Sequence, residues 1–141
     1  MACYHSLNQL MHLIGKEVYI NRDQPGFLLG RLVSIQQDYV IIQMKDRRII
    51  YYRSDFIVSL SESRRKRMPA NYDLGVEVIM AHHFHELLSS LLNHPIRIDA
   101  VGGPQVEKGL LTGITADEVV MEVNEKSIRI PLGQIRYAAS E

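Results

Sequence analysis

The chain matches itself: from Gly30 to Gly109 is an offset of 79, and at that offset Pro25 meets Pro104, Leu32 meets Leu111 and Ile35 meets Ile114. Asp38 then meets Asp117, Val40 meets Val119 and Ile49 meets Ile128. Upstream of the proline the offset falls to 78, aligning Leu10, Leu13, Ile14, Val18 and Ile20 with Leu88, Leu91, Leu92, Ile96 and Ile98. A repeat that keeps both turn residues and apolar phase restricts the chain to two copies of one small unit. Two copies are too few for a solenoid, so each unit must close a core of its own or share one with the other.

Each copy follows the same plan. Leu7, Leu10, Leu13 and Ile14, like Leu87, Leu88, Leu91 and Leu92, recur at three- and four-residue spacing, which predicts a short amphipathic helix. Val18 and Ile20 then alternate with Glu17 and Tyr19, and Ile96 and Ile98 with Arg97 and Asp99, as a half-buried strand requires. Turn residues follow: Pro25 in Gln24-Pro25-Gly26, and Gly102, Gly103 and Pro104 in the second copy. Gly30 and Gly109 sit just inside the next apolar run, where a bulge or sharp bend is expected. Leu32 to Ile35, Tyr39 to Met44, Arg48 to Tyr52 and Phe56 to Leu60 read as four more strands, and copy two repeats the series.

The expected fold is therefore mostly β with short helices: two tandem, strongly curved sheets closing toward barrels, each a helix plus five strands, as in Sm-like and SH3-like folds. The helix-first order favours Sm-like. Residues 1–60 form the first module, 61–75 a basic polar linker and 76–141 the second module. Gly75 to Met80 alternates briefly, adding a strand or stapling the second helix to its module.

Charge and cysteine content exclude several classes. Lys+Arg and Asp+Glu balance at 16 each, so the chain has no net attraction for nucleic acid or anionic membrane and is not hindered from self-association. Cys3 is the single cysteine, which rules out an internal disulfide and a cysteine-based zinc site. Met1 to Ser6 lacks the basic and apolar regions of a signal peptide and no stretch has a membrane span's length of apolar residues, so cytoplasmic synthesis without a span is expected.

No nucleophile elbow, P-loop, carboxylate pair or dinucleotide fingerprint is present, so neither enzymatic activity nor a cofactor nor a small-molecule substrate is expected. His82, His83 and His85, with Glu86 and the more distant His94, are the most metal-like cluster, but residues one to three apart on a helix diverge, and no metal is assigned. Arg64, Arg65, Lys66 and Arg67 form a basic run that reads first as solvated linker and otherwise as a clamp for phosphates or an acidic protein surface. Tyr39, Tyr51 and Tyr52 fall on strands; one ring of the adjacent pair must face outward on a regular strand, and these three join the basic run as candidate partner-binding residues.

Ile20-Asn21-Arg22 before a Pro-Gly turn, Gly30-Arg31-Leu32, Asp38-Tyr39-Val40, Ile50-Tyr51-Tyr52 and Gly102-Gly103-Pro104 through Lys108-Gly109 resemble the spore coat protein B family of endospore-forming bacilli. The resemblance covers both modules. It implies a structural component of the spore coat, made in the mother-cell cytoplasm, held by other coat proteins or by copies of itself, and carrying no catalytic residues. Copy two departs from the pattern with Asp117-Glu118-Val119 and Ile128-Arg129-Ile130, and copy one has Asp23-Gln24-Pro25 in place of Gly-Gly-Pro. The alternative is an Sm-like nucleic-acid-binding protein. Nucleic acid is not the expected partner, because the stretches Tyr39 to Gln43 and Ile49 to Arg53 lack the asparagine and Arg-Gly signatures of the RNA-binding Sm-like proteins.

Overall fold

The computed structural model describes residues 10–64, 77–102 and 106–140. Ten strands form one antiparallel sheet: β1 (Glu17–Ile20), β2 (Leu28–Ile35), β3 (Tyr39–Gln43), β4 (Ile49–Arg53), β5 (Leu60–Glu62), β6 (Pro95–Ala100), β7 (Val106–Ile114), β8 (Glu118–Val123), β9 (Lys126–Pro131) and β10 (Ile135–Ser140). Among the described residues one α-helix, α1 (Phe84–Ser90), precedes β6, and short 3-10 turns cover Met11–Leu13, Ser54–Phe56 and Leu132–Gln134. The mostly β expectation holds.

The spatial order is β5-β1-β2-β3-β4-β10-β6-β7-β8-β9. Each half is a four-strand meander whose fifth strand returns beside the first. The two halves meet where β4 pairs with β10, so the strands make one continuous sheet rather than two separate ones.

Bulges mark matching places in the halves. The β2·β3 register slips between Leu32 and Ser34, and the β7·β8 register slips between Leu111 and Gly113. The slip lies beyond the glycine expected to carry it. Gly30 serves a different purpose: a Cβ there would meet Ile42 Cγ2 at 2.6 Å and the Gln43 carbonyl at 2.7 Å, so the absent side chain lets β2 and β3 pack closely.

Three expectations change. Phe56 to Leu60 is not one strand, because residues 54–56 coil into a 3-10 turn and β5 spans 60–62, two residues past the expected module boundary. The uninterrupted offset of 79 fails at the β3–β4 turn: Val40 pairs with Tyr52 while Val119 pairs with Ile130, so β4 and β9 correspond at 78 and Ile50, not Ile49, matches Ile128. The second turn is one residue shorter. In the first copy the described part of the predicted helix is the 3-10 turn, with Leu10 and Leu13 buried; Leu7 lies outside the described residues.

Two apolar cores flank the sheet. Leu10, Leu13, Val18, Ile20, Leu32, Val40, Ile42, Ile50, Tyr52 and Ile57 fill the first. The second takes Phe84, Leu87, Leu88 and Leu91 from α1 and its C-cap, Ile96, Ile98, Leu111, Met121 and Ile130 from the second half, and also Tyr39, Ile41 and Tyr51 from the first. Strand β3 is therefore covered on both faces, and all five of its residues are buried.

Candidate functional site

Among the described residues, Tyr39, Tyr51, Tyr52 and Arg53 gather at the joint between the halves. Strand β4 brings Tyr51 and Tyr52 against β10, with Tyr52 opposite Tyr137, Tyr51 opposite Ala138 and Ile50 opposite Ala139. Alternation along β4 sends the two adjacent rings to opposite cores. Tyr51 enters the core under α1, and Tyr52 enters the core of the first half.

All three candidate tyrosines are interior, with Tyr39 and Tyr52 at 0% exposure and Tyr51 at 2%. The expected outward ring of the Tyr51-Tyr52 pair is absent because α1 and the second half cover the face that an isolated module would leave to solvent. The Tyr39 ring meets Tyr51 and Phe84 edge-on, at centroid distances of 6.2 and 6.0 Å. Its hydroxyl donates to the Ala81 carbonyl at 2.5 Å and accepts the Ala81 N–H at 3.1 Å. The Tyr51 hydroxyl accepts the Ile79 N–H at 3.2 Å. Gly75 and Val76 of the short alternating segment lie outside the described residues; its described part, 77–80, is not a strand, and these bonds staple it and Ala81 onto the joint ahead of α1. Burial raises the phenol pKa of Tyr39 and Tyr51 above the ordinary value, against a smaller opposing contribution from these backbone hydrogen bonds.

On the other face Tyr52 donates to the Gly26 carbonyl at 2.8 Å and accepts from Asn21 Nδ2 at 3.0 Å. Desolvation pushes its phenol far above the ordinary range. Asn21, buried and in the left-handed region at φ 53, is the hub of this corner. Its amide also donates to the Phe56 carbonyl at 2.8 Å, and its Oδ1 accepts the Val58 and Ser59 N–H groups at 2.6 and 3.2 Å. Asp99 holds the matching position in the second half, one residue past the pair Ile98 and Ala138 as Asn21 is past Ile20 and Leu60, and it pairs with Arg136 at 3.4 Å.

Arg53 closes the joint from the end of β4. Its Nη1 donates to the Leu132 and Ile135 carbonyls at 2.7 and 3.2 Å, and its guanidinium lies 5.6 Å from the Phe56 ring centroid and 5.5 Å from that of Phe84. Sequence reasoning singled out neither Asn21 as a hub nor Arg53 as a clasp. An asparagine just before a Pro-Gly turn is a signal for a left-handed residue; no local signal marks an arginine that binds carbonyls some eighty residues away.

Of the basic run only Arg64 is described, and it is exposed; Arg65, Lys66 and Arg67 lie outside the described residues. Arg64 lines an open groove of about 850 Å³ with Tyr19, Arg22, Ser61, Glu62 and Ser63. The Arg22 guanidinium sits 4.5 Å over the Tyr19 ring, which stacks on Phe27 at 5.9 Å. Among the turn residues, Pro25 accepts an Asn21 amide bond at 3.3 Å, Gly102 has φ 69, Gly109 pairs with Ile96, and Gly103 and Pro104 lie outside the described residues. Among the described residues no three His, Cys, Asp or Glu side chains converge as a metal site would require. His83 occupies the N-cap position of α1 without a side-chain cap bond, His82 offers its carbonyl to the Gln37 N–H, and His85 Nε2 lies 3.0 Å from the Thr115 carbonyl. Among the described residues no helix is long and apolar enough to cross a membrane.

No family model matches the chain. Among curated proteins, spore coat protein B of Bacillus subtilis (strain 168) is 27% identical to it over 131 residues, which is 89% of this chain and 33% of that protein. The chain thus spans about a third of the length of the curated relative it matches. This similarity supports a spore coat protein B-like family and extends across both halves of the sheet.

Proposed function

We propose that this chain is a structural component of a bacterial spore coat, acting through protein–protein contacts rather than catalysis. The observation that carries the reading is the similarity to spore coat protein B over 89% of the chain. The joint supports it in a second way: the tyrosine hydroxyls are spent on internal hydrogen bonds, an arrangement suited to holding a shape. We read each five-strand set as an Sm-like module, since the order β5-β1-β2-β3-β4 recurs as β10-β6-β7-β8-β9. Partners in this reading are other coat proteins and further copies of the chain, and contacts run through sheet edges and the basic segment that begins at Arg64 rather than through the buried tyrosines.

A fluorescent fusion expressed in sporulating cells tests the reading. A ring of fluorescence around the forespore, retained on the released spore, is the expected result; signal spread evenly through the mother cell overturns it. A second reading, an Sm-like nucleic-acid-binding protein, draws on one observation, the Tyr19–Arg22–Arg64 groove, where an aromatic ring and guanidinium groups lie together. Gel shifts with short RNA and DNA at near-physiological salt discriminate: sub-micromolar, salt-sensitive binding favours that second reading and counts against the first.

A further inference from the structure

We propose that the chain assembles head to tail, with the outer edge of β9 in one copy pairing antiparallel with the outer edge of β5 in the next. The proposal rests on the structural reading above and deepens it by naming the partner as a second copy of this chain. Its basis is the internal joint. There the fourth strand of the first set, β4, pairs with the last strand of the second set, β10. The two strands at the ends of the sheet are of those same two kinds: β9 is the fourth strand of the second set and β5 the last strand of the first. A contact made once within the chain is thus available again between chains.

The register follows from the joint. Val40, Ile41 and Ile42 pair with Tyr52, Tyr51 and Ile50, and Val119, Val120 and Met121 pair with Ile130, Arg129 and Ile128, which makes those two triplets equivalent. Ile20 and Tyr19 pair with Leu60 and Ser61 as Ile98 and Arg97 pair with Ala138 and Ala139. Transferring the joint places Leu60 opposite Arg129 and Ser61 opposite Ile128.

The backbone phase agrees with this pairing. Ser63 donates to the Glu17 carbonyl and Asn21 donates to that of Ser59, so residues 59, 61 and 63 turn toward β1 and Leu60 turns its backbone groups outward. Leu132 donates to the Asp117 carbonyl, so 130 and 132 turn toward β8 and Arg129 turns outward. Leu60 and Arg129 are then the pair that exchanges hydrogen bonds, matching Ala138 and Tyr51 at the internal joint.

Charge and shape narrow the partner. The β5 edge carries Glu62, the β9 edge Lys126 and Arg129, and the whole chain has no net charge to oppose stacking. Lys126, Arg129 and Pro131 blunt β9 against indiscriminate strands. Pro131 matches Arg53, which lies outside the three registered pairs of the joint, so its missing N–H is not needed. The face covered by α1 at the internal joint is polar at the outer one, where Arg129 binds Glu118 at 3.0 Å. The contact between copies therefore depends on backbone pairing and is reversible. Because the two edges differ, the interface is heterologous and repeats into a ring or a filament.

Two measurements on the full chain test this. In a Cys3→Ala background, Ser61→Cys and Ile128→Cys proteins are mixed and oxidised; opposed residues of a non-hydrogen-bonded pair sit about 4.5 Å apart at Cα, within disulfide reach. Preferential cross-linking of the two different proteins, at least tenfold over either alone, is expected; equal or absent cross-linking of folded proteins overturns the proposal. Sedimentation velocity is expected to show concentration-dependent oligomers that Arg129→Pro abolishes, since the outward N–H it removes serves no bond to β8. A wild-type chain that stays monomeric at high concentration but still rings the forespore overturns the assembly and leaves the coat reading standing.

Discussion

Asp38, in the turn between β2 and β3, accepts the backbone N–H of Phe84 on its Oδ1 at 2.8 Å, so the first turn of α1 is closed by a residue 46 positions earlier. The helix has only seven residues and its own N-cap, His83, makes no side-chain bond. A helix that short is not stable alone. Its cap and its apolar face both come from the sheet, which makes α1 a reporter of the joint.

Asp38→Ala is expected to destabilise the chain by about 0.5–2 kcal/mol, the usual cost of losing a cap. Urea unfolding followed by circular dichroism checks this. Asp38→Asn, which keeps an acceptor oxygen, is expected to recover part of the loss.

Tyr52→Phe removes the hydroxyl between Asn21 and the Gly26 carbonyl and takes a partner from that half-buried acceptor, at an expected cost of about 0.5–1.5 kcal/mol. Asn21→Ala strips partners from two N–H groups, two carbonyls and the Tyr52 hydroxyl and is expected to cost more. Denaturant midpoints should fall in the order wild type, Tyr52→Phe, Asn21→Ala.

Gly26 has φ +82, and a Cβ there would run into the Tyr52 hydroxyl and the Arg136 guanidinium. Gly26→Ala is expected to cost more than about 1 kcal/mol. Gly133, with open space around its Cβ position, is the control: Gly133→Ala should stay within about 0.5 kcal/mol of wild type.

Stability should fall at alkaline pH. Burial raises the phenols of Tyr39, Tyr51, Tyr52 and Tyr137 above the ordinary value. Their neutral forms are favoured by folding, so that stabilisation is complete below pH 10, where the unfolded phenols keep their protons, and is lost as pH rises through the folded values. Each such tyrosine contributes a slope of about 1.4 kcal/mol per pH unit within that window. Absorbance titration should show these four phenols ionising late, and Tyr52→Phe should remove one of them.

Strands and turns were legible where period two met turn chemistry, as at Ile96 to Asp99 ahead of Gly102 and at Gln24-Pro25-Gly26. Phe56 to Leu60 misled because four of its five residues are apolar, whereas Asn21 takes the Val58 and Ser59 N–H groups that a longer strand would place in its ladders. The offset of 79 carried Ile49 onto Ile128 because isoleucine follows isoleucine at 49–50, which hides a turn shorter by one residue. The tyrosines were placed correctly on strands, and Tyr39 was expected in the core, but one ring of the Tyr51-Tyr52 pair was expected outside and both are buried. Whether a strand face is wet depends on what covers it, and α1 lies more than thirty residues beyond β4 in sequence.

The furthest strand along the chain, β10, occupies the sixth of ten places in the sheet, and Arg53 meets the Ile135 carbonyl across 82 residues. On a ribosome the first half is complete long before its neighbour strand exists, leaving β4, with Ile50 and Tyr51, as a bare apolar rim. Closure waits for residues 135–140 to emerge, and contacts so distant in sequence form slowly. During that wait a neighbouring nascent chain competes for the same rim, so the speed of synthesis bears on whether the β10 that completes a given β4 is its own.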